Sequence, residues 1–256
     1  MKTILTLSPH LDDAAFSVGP LLAQWATELR VVVATVFTKS VAQPEKFALA
    51  CQLDKGLPAT ADYMKIRRSE DLAWAEKIGA VVTHGPFAEA PHRGYHSVQE
   101  LFGPILSTDA IGPSLLAWWQ TLRASFAPDL VLAPLGLGGH VDHQWVRQVA
   151  SAATFDPATL VYFQDQPYAA KAKDAVPGSF REKDELLVGW TVPLRADSRT
   201  RALQAVEAYP SQIPFQFGGA EQMKDLLGSA WGENISLFHR EEASASIQAL
   251  RQTTLP

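Results

Sequence analysis

Two short polar motifs, each set between an apolar run and a helix-like segment, constrain this chain more than anything else in it. Ser8-Pro9-His10-Leu11-Asp12-Asp13 follows the apolar run at residues 3–7, and Gly138-Gly139-His140-Val141-Asp142-His143 follows the run at 130–133. An apolar strand, a polar turn and a helix, occurring twice, is the pattern of an α/β protein built on a parallel sheet. If both strands share that sheet, their carboxyl ends bring histidines and carboxylates to one crevice, where open α/β sheets bind ligands.

The rest of the chain fits this reading. Residues 12–27 carry a helical apolar stripe (Phe16, Leu21, Leu22, Trp25). Residues 30–37 form a nearly continuous β-branched run, expected of a central parallel strand covered on both faces. Further helices are expected at 66–78, 114–126, 142–152 and 198–209, and strands at 80–83, 129–133, 160–163 and 186–193. The alternation predicts a Rossmann-like, mostly parallel sheet flanked by helices in a single domain. Residues 39–60 read as loop with a short helix, 85–113 as an inserted loop region, 164–184 as loop, and about 186–256 as a less regular C-terminal cap.

Composition narrows the function classes. A formal net charge of −5, with no Lys/Arg cluster, argues against nucleic acid as a partner. No apolar run is long enough to insert in a membrane, and the apolar stretch before His10 is too short for a signal peptide, so a cytoplasmic chain is expected. Cys51 is the only cysteine, which excludes an intrachain disulfide and a cysteine-rich zinc cluster. A homo-oligomer is left open.

His10 and Asp13 are spaced i, i+3, and so are His140 and His143. Three ligands drawn from this set suit zinc with one position left for water, whose pKa falls to roughly 7. A carboxylate beside it, Asp12 or Asp142, is then a candidate general base, and a spare histidine a candidate oxyanion donor. The competing reading makes each aspartate no more than a helix N-cap.

Residues 9–13 resemble the (A/P)-H-P-D-D-E signature of the LmbE-like, or PIG-L, de-N-acetylases. Gly139-His140-Val141-Asp142-His143 resembles that family's H-x-D-H motif. Arg67-Arg68-Ser69-Glu70, residues 89–95 and Tyr209-Pro210-Ser211-Gln212 are similar to further landmarks in the same order. The resemblance implies a zinc hydrolase that removes acetyl from an N-acetylated amino sugar, a small-molecule substrate. It implies His10, Asp13 and His143 as zinc ligands, Asp12 as base, and His140 as the donor to the tetrahedral intermediate, oriented by Asp142. Leu11 and Ala14 depart from the signature at positions that are not ligands. Two alternatives are a metal-dependent amidase on another amide, such as a thiol conjugate, and a non-catalytic sugar-binding relative.

Arg67 and Arg93 are candidate donors to the substrate, with residues 85–113 forming one wall of its pocket, and Asp165 and Tyr168, just after a strand, are candidate lining residues. His84, His92 and His96 read as surface histidines rather than a second metal site. Residues 136–139 lack the pattern of a nucleotide loop.

Overall fold

The first 35 residues form a strand, a helix and a second strand, nearly all of whose positions are buried. β1 (Thr3–Ser8) is buried at every position, and so is α1 (Asp13–Trp25). β2 (Arg30–Thr35) is buried except at its first residue. The computed structural model describes residues 1–152, 160–171, 179–182 and 185–253. After β2 come α2 (Lys46–Asp54), α3 (Tyr63–Ile78), β3 (Val81–His84), α4 (Val98–Leu101), α5 (Gly112–Phe126), β4 (Leu130–Pro134) and α6 (Val141–Ala150). The chain continues through β5 (Leu160–Phe163), α7 (Tyr168–Lys171), β6 (Ser179–Glu182), β7 (Glu185–Pro193) and α8 (Ala196–Ala205). It closes with α9 (Ile213–Phe217), α10 (Ala220–Trp231), β8 (Asn234–Arg240) and α11 (Ser244–Thr253).

Among the described residues the sheet has eight strands in the order β3-β2-β1-β4-β5-β8-β7-β6. The first five are mutually parallel and the last three pair antiparallel. Alternate residues of the parallel strands feed two cores. Ile4, Val31, Val33, Leu132 and Val161 pack under α1, α3, α8 and α10, while Leu5, Leu7, Val32, Val131 and Tyr162 pack under α5 and α6. Burial on both faces explains the unbroken apolar strands. From β1 the chain winds to β2 and β3 on one side, and β4 and β5 lie on the other. The gap above the β1 and β4 carboxyl ends is therefore the switch point of the sheet.

The mostly parallel, helix-flanked sheet agrees with the sequence reading, and β7 and α8 fall where a strand at 186–193 and a helix at 198–209 are expected. The less regular cap read beyond them instead holds α10 and β8, and β8 inserts between β5 and β7 as a strand of the main sheet. β8 (NISLFHR) is short and broken by polar residues, so its pairing comes from neighbours distant in sequence rather than from local pattern. The expected helix at 198–209 starts earlier and ends as a single 3-10 turn at Val206–Ala208. The insert at 85–113 is packed. It holds a 3-10 turn (Ala90–His92) and α4, with Ala90, Tyr95 and Leu101 buried against Val141. The loop expected at 164–184 contains α7 and β6, and its residues 172–178 and 183–184 lie outside the described ones. No described helix is long and apolar enough to cross a membrane.

Helix α1 is buried all round because it lies on β1 and β2 and is covered by α3, α8 and α10. Pro20 sits inside it, and a proline offers no N–H to the carbonyl four residues back. That carbonyl is on Phe16, and the indole Nε1–H of Trp231 in α10 donates to it at 2.8 Å. The two helices thus share one polar bond in an apolar core. Trp231→Phe is expected to destabilise the fold by about 1–3 kcal/mol, the usual cost of a buried carbonyl left without a partner. Pro20→Ala, which restores an N–H within the helix, should recover part of that loss. Urea midpoints of both single variants and the double variant measure it; equal losses with and without Pro20 would refute the pairing.

Candidate metal centre and active-site cavity

Both motifs land at the switch point. Where β1 ends, the Ser8 hydroxyl donates to the His10 carbonyl (2.6 Å) and accepts from the Ala14 N–H (3.0 Å). Ser8 therefore satisfies a first-turn donor of α1, while Asp12 occupies the N-cap position with no capping bond from its side chain. The Asp12 carboxylate is left for other work. At the second motif His140 is the N-cap residue of α6, and Gly138 lets the chain in: it has φ +82°, and a Cβ there would lie 2.7 Å from the Tyr168 ring.

Asp13 lies between two histidines. Its Oδ2 is 3.1 Å from His10 Nδ1 and 3.2 Å from His143 Nε2, and it also accepts the His10 backbone N–H at 2.7 Å. Each imidazole has a carboxylate on its other nitrogen. Asp142 Oδ2 is 3.0 Å from His10 Nε2, and Asp165 Oδ1 is 2.6 Å from His143 Nδ1. Histidine with a ligand site on one nitrogen and a carboxylate on the other is the arrangement metal ligands take. His143 Nε2 is buried and has no hydrogen-bond partner among the described residues, although a carboxylate oxygen stands 3.2 Å away. A group of His10, His140 and Asp142 is also close enough to share an ion. Asp142, however, is already occupied by His10, by the Ala90 N–H (3.1 Å) and by Arg93 (2.7 Å). His10, Asp13 and His143 fit a divalent metal better, as two imidazoles and one carboxylate suited to zinc.

The electrostatics point the same way. Burial opposes charge on both histidines, yet Asp13 and the outer carboxylates outweigh it, raising His10 well above the usual range and His143 to about 9. Burial also works against the Asp13 carboxylate, and the two imidazoles outweigh it and hold its pKa well below normal. The cluster is built to hold positive charge.

Asp12 and His140 face the same space with different character. Burial pushes the Asp12 carboxyl up to about 6, with Arg67 restraining the rise. Arg67 donates to Asp12 Oδ1 at 2.7 Å and to Glu89 at 2.6 Å, and Asp12 Oδ2 is buried without a hydrogen-bond partner among the described residues. Burial holds His140 down to about 3, so it is neutral. Its Nδ1 accepts the Asp142 backbone N–H at 3.2 Å, which assigns the ring proton to Nε2.

An open cavity of about 940 Å³, including its mouth, spreads over these groups. Asp12, His140 and Tyr168 line it, as does Arg67, although Arg67 is 3% exposed and committed to Asp12 and Glu89. The insert supplies one wall through Glu89, Pro91, Val98, Leu101 and Phe102. Two placements differ from the sequence reading. Arg93 does not line the cavity, because its guanidinium is taken up by Asp142, Asp109 and the Ala88 carbonyl. The Asp142 carboxylate orients His10, and only its backbone N–H touches His140. Other roles were missed in the sequence. Asp165 braces His143 and accepts the N–H groups of Gly136 and Leu137, and the only sign of this was its position just past a third strand end. Glu70 accepts both the N–H and hydroxyl of Ser211, which ties the Arg67–Glu70 segment to the Ser211-Gln212 pair and sets Gln212 in the wall.

This fold and site define an LmbE-like α/β protein. Residues 5–154 match the family described as PIG-L: GlcNAc-PI de-N-acetylase, and the chain belongs to that family. It is 36% identical over 176 residues to 2'-N-acetylparomamine deacetylase of Streptomyces fradiae, covering 67% of this chain and 59% of that protein. Among solved structures, the A40926 pseudoaglycone deacetylase superposes with TM-score 0.76 at 29% identity, over 93% of this chain and 96% of that one. A deacetylase of teicoplanin biosynthesis superposes with TM-score 0.79 at 27% identity, over 94% and 99%. A zinc-inhibited form of teicoplanin deacetylase gives TM-score 0.77 at 26% identity, over 94% and 99%.

Asp165→Asn is expected to keep the fold and weaken divalent-metal binding about 10–100-fold, as loss of an outer carboxylate on a ligating histidine does. Chelator competition measures it, and unchanged affinity would remove Asp165 from the site.

Proposed function

We propose that this chain hydrolyses the acetamide of an N-acetylglucosamine-type glycoconjugate, releasing acetate and a free amine, with one zinc ion held by His10, Asp13 and His143. The observation that carries the proposal is the unpartnered Asp12 Oδ2, which shares a cavity with neutral His140 and the His10–Asp13–His143 cluster. A zinc ion in that cluster supplies Lewis acidity toward the acyl oxygen and toward water. Asp12 Oδ2 takes the proton of the attacking water and delivers it to the leaving nitrogen, while Arg67 on Oδ1 keeps the carboxylate aimed. His140 Nε2–H donates to the acyl oxygen as negative charge builds there. Its depressed pKa keeps it a neutral donor throughout the physiological range.

The cavity rim selects among aglycones. Val98, Phe102 and Phe215 are 63%, 41% and 51% exposed and surround the mouth, with Phe47 and Leu101 beneath. Lys55 stands among them, its ammonium 4.7 Å from the centre of the Phe215 ring. The exposed apolar and aromatic side chains at the mouth favour an apolar or aromatic aglycone.

Acetate release from N-acetylglucosaminides with aryl, alkyl and amino-sugar aglycones tests the proposal on metal-stripped protein. Zinc is titrated from below one equivalent to excess, because a relative has a zinc-inhibited form. Activity should appear by about one equivalent, the expectation for a single catalytic ion. Asp12→Asn should bind metal normally and lose two or more orders of magnitude in kcat, the scale of a general base. Near-normal turnover in that variant would move the base elsewhere. Phe215→Ala should raise KM for aryl aglycones and leave kcat nearly unchanged, since uniform binding is what it removes.

A further inference from the structure

The geometry points to Arg93 as a positioning residue for the metal centre, acting through Asp142 on His10; this rests on the metal-dependent reading above. Asp142 is fully buried and has two oxygens to place. Oδ2 holds His10 Nε2 and the Ala90 N–H, and Oδ1 is 2.7 Å from Arg93 Nη2. A carboxylate held at one oxygen only is free to turn about its terminal torsion and release the imidazole. The guanidinium beside the second oxygen, an ion pair at 2.7 Å without hydrogen-bond geometry, opposes that turn by its charge, and with it the turning of His10 Nδ1 away from Asp13.

Arg93 is itself fixed on every side. Nη1 donates to the Ala88 carbonyl (2.7 Å), and Nε and Nη2 donate to Asp109 (3.3 and 3.0 Å). Asp109 also receives Tyr95 Oη (3.0 Å) and Trp145 Nε1 (2.9 Å). The guanidinium lies 4.7 Å from the centre of the Phe37 ring, and Phe37 in turn packs against His10. Arg93 is not among the residues that line the cavity. The insert at 85–113 thus does more than wall the substrate: it carries the clamp on the carboxylate that sets His10.

Cobalt(II) binding to chelator-stripped protein tests this without any substrate. Affinity is read by competition with a chromophoric chelator, and ligand geometry by the visible cobalt absorption. Arg93→Ala and Asp142→Asn should each weaken binding about tenfold or more, the scale of outer-shell loss, and alter the cobalt spectrum. The double variant should bind no more weakly than Asp142→Asn alone, because the two residues act in series. Arg93→Lys, which keeps a cation but not the fork, should fall between Arg93→Ala and wild type and guards against misfolding of the alanine variant. A merely structural arginine would lower thermal stability and leave cobalt affinity and spectrum unchanged, and that result overturns the inference. So does a double variant in which the two losses multiply. Wild-type protein that takes up no cobalt overturns the metal centre and this inference together, whereas normal wild-type binding with unaffected Arg93 variants overturns this inference alone.

Discussion

The parallel pairing of β1 with β4 is the constraint on which the rest depends. Three register pairs, Ile4 with Leu130, Leu5 with Val131 and Thr6 with Leu132, join segments more than a hundred residues apart. That pairing sets the two strand ends side by side, and every reactive group follows from it. His10, Asp12 and Asp13 leave one strand, and His140, Asp142 and His143 leave the other. A slip of one residue would turn the inward side chains of β4 to the opposite core and carry the second motif out of reach. The unbroken burial of both strands makes such a slip costly.

Around that pairing the chain divides labour among its carboxylates. Asp13 stands between two imidazoles, Asp142 and Asp165 brace the far sides of those rings, and Asp12 keeps an oxygen free. Environment sets the difference. Asp12 is buried with a single arginine on one oxygen and the carboxylates of Asp13 and Glu89 nearby, so its proton affinity rises. Asp142 has an arginine, a backbone N–H and a histidine, and these overcome burial and hold its pKa far below normal. Four buried aspartates with distinct partners thus acquire distinct electrostatic character.

How much of this was legible in the sequence follows the range of the interactions concerned. The strand–motif–helix units were readable because β-branched runs and turn residues are local, and each motif is contiguous, so the pool of candidate ligands was visible, while His10, Asp13 and His143 were singled out by the family resemblance. Asp142 and Arg93 were misplaced because their partners come from other elements, and no periodicity in residues 85–113 shows which side chain meets α6. Asp165 follows a strand like many helix-capping aspartates, and only the folded chain shows that it meets His143. β8 went unread because a short strand with a serine and an arginine owes its place to β5 and β7 on either side.

The position of β8 also bears on how the protein is made. During synthesis β1 to β5 emerge in an order that lets them pair, but the free edge of β5 has no partner until residues 234–240 leave the ribosome. β6 and β7 come out earlier and have no place on the sheet without β8 between them. The last indole needed by α1, on Trp231, arrives at almost the same moment. A nascent chain therefore carries an open apolar sheet edge from the emergence of β5 until that of β8, and an unfinished first helix for longer still, the surfaces on which aggregation begins. Slow decoding between β5 and β8 would lengthen that exposure, and chaperone demand would fall on the partly made chain rather than on the folded protein.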